Sequence, residues 1–195
     1  MFKYVKDKIL YQATNWDYKV GDKIYFGRKR NFQAVRAFDR KFIMSNGEYA
    51  ALYLYDKVKS KKKLNALELK EINNVMFDYA YCIREYAYEY CRKKYFPKCP
   101  SRLKGMFCCD NVKDAKCYLN TAKAKNNQSI NAKVIKVKLN GKLLKTSNNF
   151  NRRDCTFDEF VENAKKYFNG VDEKFHDASV EYLFEGWAEI VDIIK

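Results

Sequence analysis

Polar and apolar residues alternate from Lys8 to Thr14, with Ile9, Tyr11 and Ala13 on one face and Leu10, Gln12 and Thr14 on the other. That period of two predicts a first β-strand. Val20-Gly21-Asp22 reads as a turn into a second extended piece, Lys23 to Phe26, stopped by Gly27. From Asn65 the period lengthens. Leu69, Ile72, Met76, Tyr79, Ile83, Tyr86 and Tyr90 recur at three and four, which predicts a helix to about Tyr95 with that face buried. Asn65 and Glu68 have capping-box spacing, and Pro97 and Pro100 end the helix. The lysine-rich run from Lys59 to Lys63 reads as an exposed linker.

Beyond Pro100 the pattern predicts a strand over Leu103 to Cys109, a helix over Asn111 to Lys123 with Asn111 and Asp114 at its start, and a strand over Ala132 to Leu139. Asn140-Gly141 is a two-residue hairpin signal, returning the chain through Lys142 to Thr146. Thr156 and Glu159 form a capping box for a helix ending at Asn169-Gly170. Two last strands, Val180 to Phe184 and Ala188 to Ile194, are expected to turn at Glu185-Gly186. With no internal repeat, the expectation is one α+β domain over residues 1–195, its long helical segment lying between an N-terminal strand and a C-terminal sheet. The stretch from Ser101 to Leu119 marks a site. A small-residue-led apolar run, a polar stop and a helix carrying a small residue against the sheet bring backbone next to a ligand.

Composition adds charge to this picture. Lys and Arg total 39 against 24 Asp and Glu, a formal charge of +15, which favours a polyanion or an acidic protein as partner. Arg28, Lys29, Arg30, Arg36 and Arg40 cluster with Phe32 and Phe38 between them. Such a cluster suits phosphate contact with base stacking; the plainer alternative is a solvated loop whose aromatics pack inward. The seven cysteines are odd in number and form no Cys-x-x-Cys pair, so they read as reduced core residues rather than a disulfide or zinc framework. With no apolar leader and no run of about 20 apolar residues, a cytoplasmic setting without membrane contact is expected. The single histidine, His176, reads as a loop residue. No phosphate loop, Gly-x-Ser-x-Gly elbow or zinc-deaminase motif is present, which removes the parts of those chemistries.

One carboxylate remains of interest. Glu181 heads an apolar strand, where it is either the solvent-facing half of an alternation or a side chain aimed into a cleft. Leu10-Tyr11-Gln12-Ala13-Thr14, Gly21-Asp22-Lys23-Ile24, Pro100-Ser101-Arg102, Met106 to Asn111 with Asp114-Ala115, and Glu181-Tyr182-Leu183-Phe184-Glu185-Gly186 occur in that order. In this order the chain resembles a divergent ADP-ribosyltransferase-like domain of a poorly characterised bacterial and phage group, and the resemblance implies an effector of the phage, mobile-element or toxin type.

That resemblance implies a split, largely antiparallel sheet clamping NAD, with transfer of ADP-ribose to a nucleic acid or protein. It makes Glu181 the catalytic residue and Tyr11, Gln12, Thr14, Ser101, Arg102 and Phe107 the NAD-binding ones, with Gln12, Arg102 and Glu181 sharing one pocket. The chain departs from the pattern at Gln12, where such domains commonly carry His or Arg; glutamine hydrogen-bonds but brings no charge. A related phosphotransferase acting on RNA is a further reading of the same resemblance. From the charge alone, a non-catalytic protein covering nucleic acid, or binding a nucleic-acid-binding partner, is the competing expectation.

Overall fold

The computed structural model describes residues 2–39, 42–126, 132–172, 174–175 and 179–194, with the backbone alone for 121–126. Arg40 and His176 lie outside the described residues. The strands are β1 (Lys3–Thr14), β2 (Lys23–Phe26), β3 (Met106–Cys108), β4 (Lys133–Ser147) and β5 (Val180–Ile194). All their pairings are antiparallel. The order is β1-β4-β5, with β2 and β3 sharing the far edge of β5. Just beyond β3, Cys109 exchanges both backbone hydrogen bonds with Tyr11 of β1, at 2.9 and 2.7 Å, so the sheet curls until its edges meet. Inside the curl pack Leu10, Ile135, Val137, Leu139, Tyr182 and Phe184.

Neither expected hairpin forms. β4 and β5 run unbroken for 15 residues each, and Gly141 pairs with Gly186 at mid-strand. A Cβ on Gly141 would lie 2.4 Å from the Glu185 carbonyl oxygen, and one on Gly186 would lie 2.5 Å from that of Asn140. These glycines allow two backbones to approach rather than a chain to reverse.

The helices are α1 (Phe32–Ala34), continuous with a π-helical turn over Val35–Asp39, α2 (Ala50–Lys59), α3 (Ala66–Tyr95), α4 (Val112–Asn126) and α5 (Phe157–Asn169). α3 begins at the expected Asn65–Glu68 capping box and α5 at the Thr156–Glu159 one. α5 buries Phe160, Ala164, Tyr167 and Phe168, one amphipathic stripe, and stops at Gly170 with φ 77°. It packs with α3 over Leu144 of β4 and Leu183 of β5.

The buried face of α3 is not the expected one. Asp78, Tyr81, Arg84, Glu85 and Tyr88 point inward, whereas Leu69, Met76, Ile83, Tyr86 and Tyr90 are exposed. The physical reason is pairing, because charged groups can enter an interior when each meets an opposite charge with good hydrogen bonds. Hydrophobic periodicity cannot see that exchange. No helix among the described residues is long and apolar enough to cross a membrane, and none of the seven cysteines is joined in a disulfide.

Candidate functional site

Glu181 is the second residue of β5 and pairs with Thr146. It shares a sheet face with Leu183, so it looks toward α3 and α5 and not toward solvent; only 5% of it is exposed. Such a carboxylate needs donors. Its Oε1 accepts from Tyr167 Oη at 2.6 Å, Arg102 Nη1 at 3.2 Å and Asn151 Nδ2 at 3.3 Å. Its Oε2 accepts from Tyr118 Oη at 3.3 Å. The two oxygens are thus held unequally. Among the described residues one is gripped by three groups and the other meets one hydroxyl, and Glu181 lines a cleft of about 80 Å³ together with Ala13, Phe107, Cys108, Cys109 and Tyr118.

Each wall of this cleft has a local cause. Asn111 accepts from the Asp114 amide at 2.9 Å and so starts α4. One turn on, Ala115 is fully buried against Cys109 and Val134. A small side chain there lets α4 lie close to the sheet, and Tyr118, three residues later on the same face, reaches Glu181. Tyr118 has its pKa pushed well up, first by burial and then by the Glu181 anion; it stays a donor. The Cys109 thiol is pushed up to about 12, mainly by burial, so it is no nucleophile at neutral pH.

Behind Glu181 runs an alternating chain of buried charge. Arg102 Nε and Nη2 donate to the two oxygens of Glu85, each at 3.1 Å, while Arg84 grips Glu85 Oε1 at 3.1 and 2.7 Å. Burial pulls the Glu85 carboxyl upward, but the Arg102 and Arg84 guanidiniums outweigh it and hold the group below its ordinary value. The rings of Tyr88, Phe107 and Tyr167 surround the Arg102 guanidinium at 5.1, 5.1 and 4.6 Å. Order along the chain is Arg84, Glu85, Arg102, Glu181, with signs alternating and the last carboxylate at the cleft.

Of the residues expected at the site, Glu181 and Phe107 line the cleft and Arg102 touches Glu181 from behind. The others do not gather there. Ser101 donates to Glu89 Oε2 at 3.0 Å and accepts from the Leu103 amide at 3.2 Å, so it braces its own turn. Tyr11 packs beside Cys109, Ala115 and Val134. Thr14 Oγ1 accepts from the Trp16 amide at 3.1 Å. Gln12 faces the opposite way from cleft-lining Ala13, as strand alternation requires, and its buried Oε1 has no hydrogen-bond partner among the described residues. The expected pocket shared by Gln12, Arg102 and Glu181 therefore does not form: Ala13 occupies the wall expected of Gln12.

Tyr118, Tyr167, Asn151, Glu85 and Arg84 carry no motif that draws them in from sequence. Their convergence depends on how α3, α4 and α5 are laid on the sheet. The basic cluster is also largely engaged. Arg30 Nη1 meets Asp39 at 2.5 Å, Arg36 donates to Asp78 Oδ1 at 3.1 and 2.9 Å, and Arg28 lies over the Tyr25 ring at 4.7 Å. Lys29 is exposed.

The family model described as a protein of unknown function, DUF2441, matches residues 10–195, which takes in the whole of this site. The chain belongs to the DUF2441 family. No curated protein matches it. In this DUF2441 protein, the match spans every residue of the Arg84–Glu85–Arg102–Glu181 chain as well as Tyr118 and Tyr167.

Proposed function

We propose that this DUF2441 protein is an NAD-dependent ADP-ribosyltransferase that modifies a macromolecule, nucleic acid or protein, with Glu181 as its catalytic carboxylate. The observation that carries the reading is the unequal hold on Glu181. Among the described residues, Oε1 is fixed by Tyr167, Arg102 and Asn151, while Oε2 meets the Tyr118 hydroxyl alone, and the carboxylate lines a cleft walled by Phe107 and Tyr118. A prepositioned anion of this kind suits a reaction in which positive charge appears. When the bond between ribose C1′ and the nicotinamide nitrogen breaks, its electron pair goes to the pyridinium ring and leaves nicotinamide neutral. Cationic character moves to C1′. Glu181 Oε2 stabilises it and accepts from the ribose 2′-hydroxyl, and an acceptor nucleophile then bonds to C1′ and releases its proton.

The cleft, at about 80 Å³, is well below the roughly 300 Å³ and more of a site enclosing a whole ligand. It suits one ring-sized portion of NAD, with the rest of the dinucleotide along the surface. Arg102, buried among Glu85, Glu181 and three rings, positions the carboxylate and does not touch NAD. The reading as a non-catalytic basic binder rests on net charge, and the cluster expected to serve it has Arg30 and Arg36 already paired.

The test is incubation with NAD labelled on its adenylate part and a host extract, followed by separate nuclease and protease digestion. Label transferred to one polymer, and lowered by about a hundredfold in Glu181→Gln, is the expected result. Transfer undiminished in a folded Glu181→Gln protein, or no transfer and no nicotinamide release at all, overturns the assignment.

A further inference from the structure

α3 turns an apolar heptad away from its own fold. Leu69, Met76, Ile83 and Tyr90 are spaced by seven, and Tyr86 falls at the intervening position. These five side chains are 53, 59, 47, 43 and 58% exposed, in that order. The steps of seven, closing with one of three and one of four, match one row of a coiled-coil seam, the intervening Ile72 and Tyr79 being half-buried, and the stripe from Leu69 to Tyr90 extends about 32 Å at the rise of an α-helix. It is not the residue of a loosely docked helix, since the opposite face is filled by Tyr81, Arg84, Glu85 and Tyr88.

α2 leaves the stripe open. It is tied to the first turn of α3, where Tyr53 and Lys57 both donate to Glu68, and it exposes Leu52, Tyr55 and Val58 in turn. A long unpartnered apolar surface of this kind marks a docking site.

Charge chooses among occupants. The acids flanking the stripe are already engaged, Glu68 with Lys57 and Glu89 with Arg92. Lys61, Lys62 and Lys63 precede it and Lys93 and Lys94 follow it, with no ion pair to any of the five among the described residues. A second copy of this chain, itself +15, would set lysines against lysines whether the two helices ran parallel or antiparallel. We infer that α3 docks an amphipathic helix of an acidic protein, its apolar heptad against Leu69, Met76, Ile83, Tyr86 and Tyr90 and its carboxylates against the lysines at the two ends.

The probe is a pair of fluorescein-labelled synthetic helical peptides about four heptads long, identical at their apolar positions. One carries Glu and the other Lys at all flanking positions. Anisotropy titration with the full chain is expected to give saturable binding of the Glu peptide and none of the Lys peptide. Met76→Glu and Ile83→Glu are expected to weaken it about tenfold or more each, with unchanged circular dichroism because both positions are solvent-facing. A Glu peptide that binds Met76→Glu and Ile83→Glu proteins as well as the parent overturns the proposal. So does a sedimentation profile showing a dimer that these substitutions dissolve, which would give the stripe to a second copy. Neither readout involves NAD, so the outcome is separate from that of the transferase assay.

Discussion

Tyr167 Oη donates to Glu181 Oε1 at 2.6 Å, the shortest of the hydrogen bonds that fix this carboxylate. Both residues are buried, and Tyr167 reaches Glu181 because the Tyr167 carbonyl is itself held by Thr146 Oγ1 at 2.8 Å, from the strand position beside Glu181. Tyr167→Phe is therefore expected to cost about 1–3 kcal/mol, the range for a buried bond to a charged group. Tyr118→Phe, which removes a 3.3 Å bond from a partly exposed side chain lining the cleft, should cost about 1 kcal/mol or less. Urea unfolding of both variants checks the order; equal stabilities would mean that Tyr167 does not hold the carboxylate.

Glu85 sets the response to acid. Its carboxyl is fully buried, and Arg102 and Arg84 together hold its folded pKa below the ordinary value despite burial. A depressed folded pKa means that the unfolded chain takes up the proton first as pH falls. The stabilisation is complete above the unfolded value of about 4.3 and disappears as pH drops through the lower folded value. Parent stability should thus fall below about pH 4 with a component that Glu85→Gln lacks. Glu85→Gln itself leaves two buried guanidiniums short of an anion, so a loss of about 3–5 kcal/mol at neutral pH is expected. Chemical denaturation across pH reads both effects, and an acid limb unchanged in Glu85→Gln would show that other carboxylates set it.

What is legible in the sequence is local. The caps at Asn65 and Thr156, the strand Lys23–Phe26 and the stop at Gly170 follow from hydrogen-bonding chemistry confined to a few residues. The burial of Glu181 is not legible in this way, because strand alternation alone leaves it open to either solvent or a cleft and cannot show the donors that Arg102, α4 and α5 bring to it. Gln12 differs from its expected place by a single step of strand alternation, a matter of register that depends on β4 pairing and not on β1 itself. The inward face of α3 is hidden because its apolar stripe is the outer one. Its inner face is made acceptable by Arg36, Arg84 and Arg102, of which only Arg84 belongs to α3. The glycines at 141 and 186 look alike in sequence whether they turn a chain or let two strands touch.

Gly141 and Gly186 offer a direct test of that second role. Either alanine substitution puts a Cβ within 2.5 Å of a backbone carbonyl oxygen on the partner strand, which cannot move without opening β4 from β5. Both residues also have positive φ, 156° and 147°. Gly141→Ala is expected to cost more than the ~1 kcal/mol of an ordinary Gly site, about 2–4 kcal/mol. Because the two glycines face each other across one close approach, the double variant should cost less than the sum of the singles. A hairpin at Asn140-Gly141 would instead predict independent effects. Thermal melts of the four proteins distinguish the cases.

The basic cluster separates into structural and available charge. Arg36 donates twice to Asp78, whose side chain is 3% exposed, and lies 4.9 Å from the Tyr81 ring. Arg36→Ala takes these donors from a buried carboxylate, so it should lower the melting temperature by several degrees, a loss of about 1–3 kcal/mol. Arg30 and Asp39 are both well exposed, and their pair contributes little. Arg28 and Lys29 are exposed and meet no acid among the described residues. The double substitution Arg28→Ala with Lys29→Ala is therefore expected to leave the melt unchanged while weakening binding to a single-stranded polynucleotide. The slope of log affinity against log salt should fall by about 1 for each phosphate that is no longer neutralised. If polynucleotide affinity and salt slope survive that substitution but fall in Arg36→Ala protein that remains folded, the available charge lies on the α3 side of the cluster and not at the end of β2.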